Sequence, residues 1–298
     1  MQTSWPAIAL ARACDGPARI PFVLMDEQGP VLGSVALAHL DALRAWPDAF
    51  ELRTSPGGAP RALLLRLPAD VRDARLALVH ARLRADGLIT AWRDEPYPLR
   101  DRTGGEHGRI ERAASRFWGT LTLGAHCNGY VADAAGRPTH LWIARRSATK
   151  ATDPGRLDNV IGCGVPAGQS PRAAIVREGW EEAGLVPAQM SALEVGGLLE
   201  LVCDIPEGRQ HERLHVFDLA FPAGLVPRSV DGEVAEHRLM PLPEALARAA
   251  AGELTTDAAL ATLDFAVRRR LVEPAGVGWT AAQAAAFEAL RPGDLGPP

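Results

Sequence analysis

Three carboxylates and one guanidinium fall within the run Arg177-Glu178-Gly179-Trp180-Glu181-Glu182, which closes on Ala183-Gly184-Leu185. In a helix, at about 100° per residue, Glu178 and Glu182 lie roughly 40° apart, with Glu181 on their other flank. Three acids on one side repel each other unless a cation sits among them. Carboxylate oxygens are hard ligands and suit Mg2+ or Mn2+. Gly184 stands where a helix stop signal falls. Upstream, Gly162, Gly164 and Gly168 followed by Ser170-Pro171 read as a loop leading into a helix start. The competing reading, a solvated acidic helix face, is the weaker one with that loop before it and Gly184 after it.

Several elements must position these acids. A helix over 171–183 carries them. His126 to Ala132 and His140 to Ala144 read as two strands of a hairpin around 133–138. Gly197 to Cys203 and Leu214 to Phe221 read as a further strand pair, and 242–251 and 255–271 as helices. In the first third, Leu63 to Leu67 reads as a strand. Val71, Leu76, Val79 and Leu83 share a helical face that ends at Gly87, and 87–92 reads as a turn and strand. The polar stretch 100–108, with Gly104-Gly105, reads as a loop. The closing Arg268-Arg269-Arg270 reads as a helix C-terminus favourable to its dipole rather than an anion site. A tail over 273–298 is punctuated by Pro and Gly and holds one Ala-rich helix, 281–290.

The chain has 298 residues, 47% of them hydrophobic, enough for one large or two ordinary domains with a sizeable core. A net charge of -4 argues against a nucleic-acid footprint. Four widely spaced cysteines, Cys14, Cys127, Cys163 and Cys203, form no C-x-x-C pair and read as thiols of a reducing compartment. Residues 1–13 lack the order of a signal peptide, and no apolar run is long enough to span a bilayer. The expectation is a soluble cytoplasmic protein without a membrane or nucleic-acid partner, left open between a monomer and a homodimer.

The acidic run resembles the second half of the Nudix box: Arg177, Glu178, Glu181, Glu182 and Gly184 occupy its fixed positions, and Leu185 supplies the closing aliphatic residue. The opening glycine of the box falls on Cys163, its upstream glutamate on Gln169, and Gly179 takes a place usually aliphatic. Beyond the box, the chain is similar to a narrower Nudix group with an extra N-terminal domain, related to the Nudix part fused to fungal thiamine pyrophosphokinases and to plastid proteins of plants. The stretches that carry this are 91–95 with Tyr97-Pro98, 109–114, 124–130, 141–150, 157–159 and 231–234, of which Ala144-Arg145-Arg146-Ser147 to Lys150 is the most distinctive. The resemblance implies an α/β chain: a Nudix α/β/α sandwich with a mixed sheet over 121–272, a smaller α/β accessory domain over 1–120, and the tail.

It also implies Mg2+-dependent hydrolysis of an organic diphosphate to the monophosphate and phosphate, with thiamine diphosphate or its oxidised derivatives leading. Splitting a diphosphate needs dispersed negative charge, an activated water and a held phosphate. Glu178 and Glu182 are the first metal ligands, Glu181 a third, and the Cys163 backbone carbonyl a further one by resemblance. Glu178 and Glu181 are also the candidate bases, and Arg177 orients the acids through bidentate pairing. Glu233, after Asp231-Gly232, matches a downstream family acid, with Glu236 its competitor. Arg145, Arg146 and Lys150 are the diphosphate contacts, although on a strand Arg145 and Arg146 point to opposite faces. His126 and Asn128, with Tyr130, alternate on one face and are candidates to line a pocket; Trp118 and Trp142 are stacking candidates. Two rivals remain: a nucleoside- or sugar-diphosphate hydrolase acting on ADP-ribose-type compounds, and a non-catalytic ligand sensor.

Overall fold

A computed structural model describes residues 5–222, 224–272 and 279–292; the rest of the 273–298 tail lies outside the described residues. In chain order the elements are α1 (Pro6–Leu10), β1 (Arg19–Leu24), β2 (Val31–Ala36), α2 (Leu40–Leu43), β3 (Phe50–Thr54), β4 (Pro60–Leu65), α3 (Ala69–Ala85), β5 (Pro96–Arg100), β6 (Glu106–Glu111) and α4 (Ala114–Trp118). The second half holds β7 (Leu121–Ala132), β8 (Pro138–Arg146), β9 (Leu157–Asn159), β10 (Ile161–Gly164), α5 (Pro171–Ala183), β11 (Glu194–Ile205), β12 (Gly208–Ala220), β13 (Val234–Pro241), α6 (Leu242–Ala250), α7 (Thr256–Arg268) and α8 (Ala281–Glu288). The chain is thus mixed α/β.

Two sheets organise it. The first has the order β2-β1-β4-β3 and mixes an antiparallel hairpin with the parallel pair β1–β4. Its core joins Phe22, Leu63 and Leu65 to Leu76, Val79 and Leu83 of α3 and to Phe117 and Trp118 of α4. The second sheet has nine strands, with β7 as its hub. Strand β7 runs parallel to β12 from Leu121 to Tyr130, antiparallel to β10 through Gly124–Cys127, and antiparallel to β8 from Gly129 onward. At twelve residues β7 is long enough to pair with β12 along most of its length, with β10 and β8 at successive stretches of its other edge, and with β5 at Leu121. Helix α5 covers one face over Ala125, Cys127 and Ile161, and α6 and α7 cover the other over Leu199, Leu214 and Val216. These layers form an α/β/α sandwich.

The hairpin read over 126–144 is β7–β8, the later pair is β11–β12, and the helix carrying the acids spans the residues expected. The stretch 87–92 is not a strand. Gly87 has φ 74°, Leu88 and Ile89 both donate their amides to Leu83 O, and Ala91 has φ 55°, so the chain coils around the end of α3 rather than extending. The 100–108 loop is shorter than read: residues 106–108 already pair in β6, and Asp101 closes the turn through Thr103 and Gly105.

The two halves share elements. Strands β5 and β6 lie at the edge of the nine-stranded sheet. The first residues also cross over: Trp5, Ile8 and Ala11 pack with α7 and α8, and the carbonyls of Ala11 and Ala13 accept from Val202 and Asp204 on β11. Among the described residues no helix is long and apolar enough to cross a membrane.

Candidate functional site

Helix α5 is fixed at both ends by its own sequence. Ser170 caps it by accepting from the Ala173 amide at 3.1 Å, Pro171 opens it, and Gly184 ends it at φ 67°. Gly179 is explained by packing: a Cβ there would fall 2.9 Å from the thioether of Met190, which occupies the space an aliphatic side chain would take. The helix turns Glu182 inward, almost fully buried, with Glu178 beside it.

Each acid has defined partners. Glu182 accepts the Gly162 amide at 2.9 Å and lies 3.3 Å from Lys150 Nζ. Lys150 Nζ also contacts Glu233. Arg177 pairs with Glu178 at 2.8 Å and Glu181 at 2.6 Å and stands 3.5 Å from Gln169 Oε1. Burial and the neighbouring Glu182 push the Glu178 carboxyl up to about 8. Burial also raises Glu182, against the pull of Lys150 and the Gly162 amide. Although burial opposes its charge, Lys150 is held above its ordinary value by Glu182 and Glu233. The Cys163 thiol is pushed up by burial and by the charges of Glu178 and Glu182.

The segment Gly162–Gly164 has two sides. One hydrogen-bonds Glu182; the other forms a wall of a cavity of about 380 Å3. Arg146 and His126 line this cavity from the Nudix-like half, and Tyr97, Arg112 and Arg116 line it from the segment before β7. Tyr97 lies against Gly164 so closely that a Cβ at that glycine would fall 1.8 Å from its hydroxyl. Arg112 sits over the Tyr97 ring at 5.3 Å and pairs with Glu95 at 2.8 Å. The accessory stretch therefore contributes cations directly to the cavity.

The expected site residues divide. Glu182, Lys150 and Glu233 come together, with Glu178 beside Glu182; of the expected metal-site residues it is Cys163 that lines the cavity, and Arg177 pairs with Glu178 and Glu181 along α5. Lys150, expected on phosphate, is engaged with two carboxylates. Arg146 lines the cavity and is fixed by Asp158 at 2.8 Å and the Thr152 carbonyl, also at 2.8 Å. Arg145 does not join it; it turns outward to Glu236 and the Gly155 carbonyl, as strand alternation requires. His126 reaches the cavity and is 2.9 Å from Asn159 Oδ1. Asn128 does not: it is buried in a network with Asp218, Ala261 and Asn159. Trp118 is core, donating to His80 Nε2, and Trp142 is core against Phe221. Arg268 and Arg269 are tied to Asp218, Asp264 and Glu194. Sequence reasoning missed Arg112, Arg116, Glu212 and Asp257 as cavity residues.

The oxygen-rich donor set of Glu178, Glu181, Glu182 and Glu233 suits a hard divalent cation. Among the described residues no three acid, His or Cys side chains yet converge on one point. Lys150 supplies counter-charge to Glu182 and Glu233, so a metal would compete with it for the same oxygens.

Comparison with known proteins follows the same division of the chain. The family described as NUDIX domain matches residues 126–260, and the family described as domain of unknown function (DUF4743) matches residues 11–122. Nudix hydrolase 20, chloroplastic, of Arabidopsis thaliana is 30% identical over 270 residues, covering 87% of this chain and 70% of the relative. Nudix hydrolase 24, chloroplastic, of the same plant is 29% identical over 262 residues, with the same coverage of 87% and 70%. A solved structure of the Deinococcus radiodurans protein DR0079 aligns at a TM-score of 0.44 with 24% identity, over 57% of this chain and 99% of that one. With its box helix in place and relatives matched along most of both sequences, the chain belongs to the Nudix hydrolase family.

Proposed function

We propose that the protein hydrolyses an organic diphosphate to the monophosphate and phosphate, using a divalent metal, Mg2+ before Mn2+. The observation that carries this reading is the buried Glu182 on α5, with the largely buried Glu178 beside it, accepting from the Gly162 amide of the backbone that also walls the cavity. Glu178 and Glu182 would hold the metal, with Glu181, Glu233 and the Cys163 carbonyl as further donors. When bound, the metal disperses phosphate charge and lowers the pKa of a water.

The protein's own groups supply the rest. Arg177 fixes the rotamers of Glu178 and Glu181 by pairing with both. Lys150 orients Glu182 and Glu233. Arg146, Arg112 and Arg116 offer guanidiniums to the phosphates from two sides of the cavity. A carboxylate of α5, Glu178 or Glu181, would accept the proton of the attacking water.

The substrate class we favour is thiamine diphosphate or an oxidised derivative. The resemblance of residues 90–150 supports it, because that stretch supplies Tyr97, Arg112, Arg116 and Arg146 to the cavity. The four free thiols support a reducing compartment such as the cytoplasm. A side-by-side measurement of kcat/KM with Mg2+ tests the substrate: the oxidised thiamine-type diphosphate should exceed ADP-ribose and nucleoside triphosphates. Equal or better turnover of ADP-ribose rejects the thiamine reading and leaves the diphosphatase standing.

A further inference from the structure

We infer that Glu212 and Asp257 form the end of the cavity that selects the organic group, and that this end takes a nitrogen heterocycle bearing N–H donors or a positive charge. This rests on the reading of the cavity as the diphosphate site. Neither residue belongs to the box, and they come from separate elements, β12 and α7.

Both residues line the cavity. Glu212 is held there by Thr122, whose hydroxyl stands 3.2 Å from Glu212 Oε2, and by an absence of side chain opposite: a Cβ on Gly124 would fall 2.3 Å from Glu212 Oε1. Asp257 lies in the first turn of α7 and accepts from Gln210 Nε2 at 3.4 Å through Oδ2. Its other oxygen, Oδ1, is buried and has no hydrogen-bond partner. A buried acceptor left without a donor costs about 1–3 kcal/mol, and more when charged. Such a group calls for a donor from outside the chain.

Asp257 also bears on Glu212 electrostatically. Burial and then Asp257 push Glu212 up to about 7. Burial raises Asp257, with His126 opposing and Asp158 reinforcing. A ligand bringing N–H donors or positive charge relieves both effects at once. An apolar group would leave Asp257 Oδ1 desolvated, and a further phosphate would be repelled. The same cavity carries Arg112, Arg116 and Arg146. One space thus offers guanidiniums to a diphosphate and carboxyls to a basic ring, and it favours a substrate that carries both kinds of group.

The test uses the full chain with Mg2+ and two monophosphate esters, which keep the organic group and have no phosphoanhydride bond to cut. Thiamine monophosphate presents an aminopyrimidine and a thiazolium; isopentenyl monophosphate presents neither. By titration calorimetry the wild type should bind the first at least about tenfold more tightly. Glu212→Gln and Asp257→Asn should each weaken it about tenfold, the loss of one charge-assisted hydrogen bond. Binding of isopentenyl monophosphate should stay within about twofold. Both changes conserve volume and remove like-charge repulsion, so Tm should hold or rise. Equal binding of the two esters, no binding of thiamine monophosphate, or equal weakening of both esters in the variants would overturn the inference. Selective binding without turnover of the parent diphosphate would reject the hydrolase reading alone.

Discussion

Glu182 is a carboxylate almost out of water, with one backbone amide and one ammonium as its partners. Burying a charge so costs several kcal/mol unless its partners offset it, and the neighbouring Glu178 makes the balance worse. That is a poor arrangement for stability and a good one for gathering a cation. Glu182→Gln should therefore keep the fold, with Tm within a few degrees of wild type, and lose at least about a hundredfold in kcat, roughly 3 kcal/mol of barrier. Phosphate release at saturating Mg2+ measures it, and near wild-type turnover would remove Glu182 from the metal site. Residue types and spacing made this much readable, since Arg177 to Gly184 lie on one helix. The cavity was another matter. Arg112, His126, Cys163, Glu212 and Asp257 meet only through tertiary contacts, and no local pattern in the chain joins them.

The element that joins the halves at the site is β5, and its tightest contact there is with a glycine, Gly164. Helix α5 and the β7–β8 hairpin were legible because periodicity, caps and turn residues agree locally. The docking of Tyr97 onto Gly164 was not, because it depends on β5 lying along the edge of the nine-stranded sheet, with the Pro96 carbonyl accepting from Ala167 at 2.9 Å. A methyl at Gly164 would fall 1.8 Å from the Tyr97 hydroxyl and 3.0 Å from its Cζ. Gly164→Ala should cost about 2 kcal/mol of stability, the usual scale of overpacking, and should lower kcat/KM because Arg112 rests on the same ring. Adding Tyr97→Phe removes the clashing oxygen, which has no hydrogen-bond partner to lose. The double variant should then be more stable than Gly164→Ala alone, a coupling that thermal unfolding of the two singles and the double reads directly. Purely additive losses would mean that the ring and the glycine do not meet.

At the scale of the whole molecule, a boundary near residue 120 is a sequence convenience that the packing does not respect. The family match ends at residue 122 on one side and begins at 126 on the other. A cut there would nevertheless take β5 and β6 from the edge of the larger sheet. It would also strip Trp5, Ile8 and Ala11 from the core they share with Leu199, Phe265, Trp279 and Phe287. Fully burying a large apolar side chain contributes about 1.5–3 kcal/mol. Losing Trp5, Ile8 and Tyr97 together thus approaches the 5–15 kcal/mol that typically holds a domain folded. Residues 121–298 expressed alone should show no cooperative thermal transition, or one lowered by more than about 10 °C, and no diphosphatase activity, because Arg112, Arg116 and Tyr97 leave with the missing segment. A fragment that unfolds cooperatively near the full chain's Tm and keeps its kcat/KM would show that the N-terminal half is an appendage rather than part of the catalytic unit.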